Sequence, residues 1–300
     1  MINKIKKIIL HPSLILYYLD WYKIIKLPDK YYLKLKYFVE LNRWPNFDNP
    51  TRYTEKLQLL KLYDRKEKYT ELVDKYMFKK IITKKIGKEH VIPLIGVYDK
   101  FDEIDFSKLP NSFVIKCNHD SGGFIICRNK KDFNISKARK KINKCLRRNF
   151  YYQSREWPYK NIKRKIIVEK YMTDHSSDAL TDYKFFCFNG EPKIMYISHD
   201  DSATPTTDFF DMDFNKIDLH FRDQNSIQPP QKPLFFEEMK EYSRILSKNI
   251  PNVRVDFYII NNQVYVGEIT FYHLGGMFEF HPDKYDEIFG SYIDNKYIGM

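Results

Sequence analysis

Two short runs near the C-terminus carry charge inside β-patterned sequence. They are Val253-Arg-Val-Asp-Phe-Tyr258 and Val266-Gly-Glu-Ile-Thr270. Strand alternation puts Arg254 and Asp256 on one face, with Val255 and Phe257 opposite. Glu268 and Thr270 share a face in the same way. Charges set among apolar residues are costly unless they are used. Adjacent strands presenting Asp and Glu supply hard oxygen ligands for Mg²⁺, which also takes phosphate oxygens and water. Arg254 would neutralise charge on a transferring phosphoryl group. The alternative is an Arg–Glu or Arg–Asp salt bridge in a structural hairpin; the metal reading is preferred. It sets a condition on register. A strict two-residue turn at Asn261–Asn262 would pair residue 256 with 267 and send Asp256 and Glu268 to opposite faces. A three-residue loop or one bulge is required to bring them together.

Two further segments could serve a nucleotide. In Phe113-Val-Ile-Lys-Cys-Asn-His-Asp-Ser-Gly-Gly-Phe124 a strand ends in a polar loop and a second strand follows. Lys116 and Asn118 lie on one strand face. A Lys beside a loop whose N–H groups wrap phosphate suits an anion, and Gly122 and Gly123, with Ser121, allow close approach. No GK[ST] is present, so this is not a Walker loop. The plainer reading is a hairpin turn with one exposed Lys. In Ile166-Ile-Val-Glu-Lys-Tyr-Met172 an apolar strand ends in polar residues and could line a purine slot. The plainer reading there is a core strand with charges at its exit.

These segments need elements to hold them. Residues 1–65 read as helical, broken at Pro12, Pro28 and the Asn46–Pro50 turn, with Thr54–Leu62 amphipathic. Residues 70–86 read as one helix with Leu72, Val73, Tyr76, Met77 and Ile81 on one side, and Gly87 as its stop. From residue 112 short β-rich runs dominate: Ser112–Cys117, Phe124–Cys127, Lys165–Lys170, Tyr183–Phe188 and Lys193–Ser198. Asn189–Gly190 is a hairpin turn, and Asn261–Asn262 joins a second hairpin, Val253–Ile260 with Val264–Thr270. Residues 136–149 and 235–249 read as helices. The class is α+β with antiparallel hairpins, not a βαβ alternation.

Composition narrows the function classes. The 300 residues are 43% hydrophobic and 17% aromatic, enough for a large core and incompatible with a disordered chain. Mean hydropathy is −0.56, and no apolar run is long enough to span a membrane. Ile8–Leu19 is apolar but lacks a small-residue cleavage site, so no secretory signal is expected. The four cysteines form no CxxC pair, which argues against structural zinc and for reduced thiols in a cytosolic protein. Net charge is +12, and residues 1–36 hold eight Lys against two Asp. That asymmetry argues against a nucleic-acid surface. A basic segment mixed with Ile, Leu, Tyr and Trp reads as a membrane-surface helix; the alternative is a docking helix with solvated lysines.

Taken together in order and spacing, the segments resemble the ATP-grasp family, specifically its TupA-like (teichuronopeptide-biosynthesis-type) branch. The residues carrying this are Glu55-Lys-Leu-Gln-Leu-Leu-Lys-Leu-Tyr-Asp64, Val73-Asp-Lys-Tyr76 and Ile92-Pro-Leu-Ile-Gly-Val-Tyr98. Phe113–His119, Asp182-Tyr-Lys-Phe-Phe-Cys-Phe-Asn-Gly190, Arg254–Tyr258 and Gly267-Glu-Ile-Thr-Phe271 complete the set. The resemblance spans roughly residues 30–290. It implies an α+β ATP-grasp fold, with ATP sandwiched between two antiparallel-sheet lobes, and a helical N-terminal region. The implied division is a basic helical region at 1–65, an α/β part at 66–111, a small lobe with phosphate loop and hinge strand at 112–172, and a C-terminal lobe with the Mg²⁺ site at 173–300.

The resemblance assigns Lys75, or a neighbour of it, and Lys116 to the phosphates, and the hinge strand Glu169, Lys170, Tyr171 and Met172 to adenine. Asp256 and Glu268 become the metal acids, with Thr270 where the common pattern has Asn. Lys184, which faces the same way as Asp182, joins Arg254 as a catalytic candidate. His199, Asp200, Arg222 and His273 are candidates for the acceptor pocket. The implied activity is a carboxylate–amine ligase working through an acyl phosphate, in the cytoplasm or peripheral at the inner face of the membrane, in bacterial cell-surface polysaccharide or capsule synthesis. Its partners would be a small-molecule or glycopolymer carboxylate and an amine, with no nucleic acid. Rival readings are a glycosyltransferase using Asp211-Met-Asp213, an ATP-grasp kinase acting on a sugar hydroxyl, and a non-catalytic scaffold.

Overall fold

The computed structural model describes residues 9–174, 180–199 and 205–299. Its helices are α1 (Leu14–Trp21), α2 (Asp29–Leu41), α3 (Tyr53–Tyr63), α4 (Lys68–Val73), α5 (Lys75–Lys85), α6 (Ile135–Arg147), α7 (Tyr151–Ser154), α8 (Phe236–Ser247) and α9 (Lys284–Ser291). Its strands are β1 (Leu94–Tyr98), β2 (Phe113–Cys117), β3 (Phe124–Cys127), β4 (Ile166–Lys170), β5 (Asp182–Phe188), β6 (Glu191–His199), β7 (Thr206–Asp211), β8 (Lys216–Ile217), β9 (Asn252–Ile260) and β10 (Gln263–Thr270).

The chain divides into two compact units, Met1–Arg65 with Tyr272–Met300, and Lys66–Phe271. The lobe expected over 173–300 is therefore cut at Tyr272. The reason is visible in the first unit. Buried Asp286 of α9 accepts hydrogen bonds from the backbone N and hydroxyl of Thr54, at 2.9 and 2.8 Å, and lies 2.6 Å from Arg43. Gln58 and Lys61 of α3 donate to the carbonyls of Gly276 and Gly275. Tyr53 meets Phe280 and Phe289 edge-on. These contacts bind the chain's last segment to α3.

The second unit is built on two antiparallel sheets. One has four strands in the order β1-β4-β2-β3, the other six in the order β10-β9-β5-β6-β7-β8. In β2 the alternation is clean: Phe113, Ile115 and Cys117 are buried, Val114 and Lys116 lie on the other face. The buried set packs with Ile166 and Val168 of β4 and with Ala138 and Ile142 of α6. On the large sheet Phe185 packs against Phe236 of α8. Residues 94–98, expected in a separate α/β part, pair with β4 and so belong to the small sheet.

The single helix expected over 70–86 is two. Asp74 leaves helical geometry at φ −71°, ψ 106°, and its carboxylate accepts from the N–H groups of Tyr76 and Met77. That is an N-cap, and a short polar residue there outweighs the continuous apolar stripe. The break has a consequence for the site, because it makes Lys75 the first residue of α5.

Candidate active site

The second unit holds a cleft of about 370 Å³ lined by both sheets. From the small-sheet side come Lys116 of β2, Glu169 of β4 and the loop Asp120–Gly123; from the large sheet come Lys184, Asp256, Tyr258 and Glu268. Lys75 enters from the start of α5. Its backbone N–H donates to the Asn118 carbonyl at 3.0 Å, and its ammonium donates to the Asp120 carbonyl at 3.0 Å. The same ammonium lies 3.9 Å from Glu268.

Two lysines bracket one acid on the small sheet. The Glu169 carboxylate, nearly fully buried, sits 2.7 Å from Lys116 on one oxygen and 2.7 Å from Lys79 on the other. Lys79 also donates to the Ile92 carbonyl. Burial pushes the Glu169 carboxyl up, but Lys116 and Lys79 more than reverse this and hold it below the usual carboxylate range. Burial pulls the Lys79 ammonium down, and Glu169 offsets only part of that. The Glu169 carboxylate, which also lines the cleft, is the counter-ion of these two lysines, because alternation points it to the face that carries Lys116. Lys170, Tyr171 and Met172 line the cleft. Tyr171 also accepts a hydrogen bond from Arg128.

The loop expected to take phosphate is braced from behind. Arg148 holds the buried Asp120 carboxylate at 2.6 Å. The Gly123 carbonyl accepts from Cys117, continuing the hairpin. A Cβ on Gly123 would stand 2.7 Å from Asp120 Oδ2, and Gly122 has φ +76°, so both positions favour glycine. Ser121, Gly122 and Gly123 all reach the cleft. Asn118 does not. Its side chain is buried, donating to the Lys163 carbonyl at 3.0 Å and accepting from the Lys165 N–H at 2.8 Å. It lies past the end of β2, where strand alternation no longer places it beside Lys116.

On the large sheet the register condition is met by a bulge. Asn261 and Asn262 take left-handed φ values of 50° and 60°, giving a two-residue turn that pairs Ile260 with Gln263. Pairing runs in step to Phe257 opposite Val266, then skips Gly267, so Asp256 stands opposite Glu268 and Arg254 opposite Thr270. A side chain on Gly267 would meet the Tyr258 ring at 2.7 Å. Lys184 of β5 is the registered neighbour of Asp256 on its other side. Lys184 pairs with Asp182 at 2.8 Å and lies over the Tyr196 ring.

Two acids flank one cation here. Buried Arg254 makes a two-pronged contact with Asp256, 2.6 Å on each oxygen, and reaches Glu268 at 3.5 Å. It also donates to the hydroxyls of Thr270 and Tyr196, each at 3.3 Å. The metal and salt-bridge readings thus use the same residues. Burial pushes the Asp256 carboxyl up to about 6 against the pull of Arg254. Burial also raises the Glu268 carboxyl, but Lys75, Arg254, Lys116 and Lys184 bring it below its ordinary value.

Other candidates lie elsewhere. Asp211 accepts from the N–H groups of Asp213 and Asn215, so it closes the turn after β7. Arg222 pairs with its neighbour Asp223. His273 packs on Phe278 in the first unit. Asp200 and the side chain of His199 lie outside the described residues. Sequence reasoning missed Lys79, Asp120 and Tyr258. Lys79 carried a usable signal, since it follows Lys75 by four residues and so shares its helix face.

Two antiparallel sheets with a charged cleft between them make an ATP-grasp fold. The family model described as TupA-like ATPgrasp matches residues 55–294. The chain belongs to that family. No curated protein matches it significantly. Among solved structures it is similar to D-alanine–D-alanine ligase from Bacillus anthracis complexed with ATP, at TM-score 0.38 and 17% identity, covering 67% of this chain and 53% of that one. It is also similar to the D-alanine–D-alanine ligase from Helicobacter pylori, at TM-score 0.40 and 13% identity, covering 74% and 61%. The chain therefore spans between about half and three-fifths of the length of those ligases.

Proposed function

We propose that this chain is an ATP-dependent carboxylate–amine ligase acting in bacterial cell-surface polysaccharide synthesis, on the cytoplasmic side. The observation that carries the reading is the Gly267 bulge, which sets Asp256 opposite Glu268 in a cleft that Lys75, Lys116 and Lys184 also line. The donor set fits Mg²⁺. Among the described residues no group of three His, Cys, Asp or Glu could hold a metal alone. Two carboxylates and the Thr270 hydroxyl leave coordination positions for phosphate oxygens and water, which is how Mg²⁺ is usually bound. Bound there, the ion would supply neutralisation of phosphate charge.

The chain's own cations would do the rest. Lys75 and Lys116 would hold phosphate oxygens, and Arg254 and Lys184 would stabilise charge on the phosphoryl group in flight. The substrate carboxylate attacks the γ-phosphorus and ADP leaves. The amine then attacks the acyl phosphate, inorganic phosphate leaves, and an amide remains. Positioning and electrostatics carry such a reaction.

The test is an ADP-release screen of the full chain with uronic acids and amino acids, with products read by mass spectrometry. ADP release should need both a carboxylate and an amine, and the product should carry the mass of an amide. Glu268→Ala should lower turnover about 10²–10³-fold, the loss typical of one electrostatic contact to the transition state. A phosphorylated sugar as product, or turnover unchanged by Glu268→Ala, would refute the proposal.

A further inference from the structure

Exposed large apolar side chains gather in one stretch of the first unit. Helix α1 buries Leu14 and Tyr17, and Tyr17 packs on Tyr32 of α2. Its other side leaves Ile15 and Leu16 exposed. The next six residues, Trp21-Tyr-Lys-Ile-Ile-Lys26, are all exposed, with Tyr22 at 70% and Ile24 at 67%. This is a built loop. Lys23 takes a left-handed φ of 61°, its N–H and that of Ile24 return to the carbonyls of Asp20 and Leu19, and the Asp20 carboxylate accepts from Leu27 N–H at 2.7 Å. Side chains of this size held out in water as a contiguous group mark a contact surface.

The charge around them is mostly positive; Glu40 of α2, which lies near Tyr17 and Tyr18, pairs with Lys36 at 2.7 Å. Lys23, Lys26 and Lys30 are exposed. The first thirty residues contain two acids, and neither offsets these lysines at the surface. Asp20 is buried under the loop, and Asp29 pairs with Arg65 at 2.7 Å. Aromatic and aliphatic residues interleaved with lysines suit an interface whose outer layer is anionic and whose interior is apolar. Among the described residues no helix is long and apolar enough to cross a membrane. We infer that the α1 face and the Trp21–Lys26 loop dock the chain onto the surface of an anionic lipid bilayer. Trp21, Tyr22, Ile24 and Ile25 would enter the headgroup region, while the lysines meet lipid phosphates. This does not depend on the ligase reading.

The experiment is sedimentation of the full chain with vesicles of phosphatidylcholine, with and without phosphatidylglycerol. The chain should bind the anionic vesicles, bind neutral ones far less, and release as salt rises. The variant Trp21→Ser/Ile24→Ser/Ile25→Ser should lose binding at least tenfold while keeping its thermal melting temperature. The variant Lys23→Gln/Lys26→Gln/Lys30→Gln should lose about a hundredfold, at about fivefold for each lysine. Equal binding to both vesicle types, no binding, or binding that survives the serine substitutions would overturn the inference. So would a wild-type dimer that the serine variant dissociates, because a second copy would then cover the face.

Discussion

The two sheets of the ATP-grasp unit neutralise their charges in opposite ways. At the small sheet two cations, Lys79 of α5 and Lys116 of β2, share one buried acid, Glu169. On the large sheet two acids, Asp256 and Glu268, share one buried cation, Arg254. One side therefore carries an excess of positive charge and the other an excess of negative charge, each held by a central partner of the opposite sign. A ligand made of phosphates and a divalent cation is the complement of both at once. The difference also separates tasks. Glu169 is almost wholly inaccessible, whereas the Glu268 side chain is 44% exposed. The small sheet's acid is built to position lysines; the large sheet's second acid is left where a ligand can reach it.

The strongest way to break this comparison is to remove the central partner on the small sheet. Glu169→Gln leaves two lysines facing a neutral amide in a buried site. Breaking such a pair costs about 3–5 kcal/mol. The expected result in urea unfolding is a lower midpoint with an unchanged slope. Glu268→Ala, by contrast, should cost little stability, since its side chain keeps access to water. Equal losses in the two variants would show that the two clusters do not divide positioning from ligand contact.

The next test sharpens the large-sheet half. Gly267→Ala puts a Cβ 2.7 Å from the Tyr258 ring at the bulge. Overpacking of this kind costs roughly 1–3 kcal/mol. Any shift of the bulge also turns Glu268 away from Asp256. Magnesium-dependent nucleotide binding, measured by calorimetry, should therefore fall more than thermal stability does. Binding at wild-type strength with magnesium would mean the bulge is dispensable to the acid pair.

Much of this arrangement was legible in the sequence because it depends on short range. Strand alternation put Arg254 with Asp256, and the requirement for a bulge followed from counting residues between Asp256 and Glu268. The pairing shows where the slip falls, at Gly267, which the sequence left open between a bulge and a longer loop. What could not be read depended on distant partners. Glu169 looked like the exit of a core strand; its two lysines come from β2 and α5, about fifty and ninety residues earlier in the chain. Asn118 shares strand parity with Lys116, but β2 ends at Cys117, and the backbone at 163–165 takes up its amide. Residues 272–300 join the first unit through Asp286 and Thr54, a contact that no local pattern announces.

Acid should discriminate the two clusters as well. The Glu169 carboxyl is held below its ordinary value of 4.5 in the folded protein. A depressed folded value means that the pair's stabilisation is present above the unfolded value and is lost as pH falls through the folded one. Wild-type stability should thus decline below about pH 4.5, by up to roughly 1.4 kcal/mol per pH unit for one linked proton. The Glu169→Gln variant should show a shallower decline over the same window. Parallel acid curves for the two proteins would mean that other carboxylates carry the linkage.

The smallest expected effect comes from the Asp211–Asp213 turn beside the large sheet, where the nearby Lys240 ammonium donates to the Met212 carbonyl at 2.8 Å. Asp211 is bound by the backbone of Asp213 and Asn215 and by the Asn215 side chain, at 2.8–2.9 Å. Asp213 is exposed in the turn. The Asp-Met-Asp spacing therefore arises from a turn that one carboxylate closes. Asp213→Ala should move stability by no more than about 0.5 kcal/mol, as ordinary surface changes do. Asp211→Ala removes the turn's acceptor and should cost about 1 kcal/mol, the usual worth of such a local bond. Neither should alter magnesium-dependent nucleotide binding. Loss of turnover in Asp213→Ala with stability intact would move the metal chemistry to this turn, and the opposition between the two sheets would no longer describe the site.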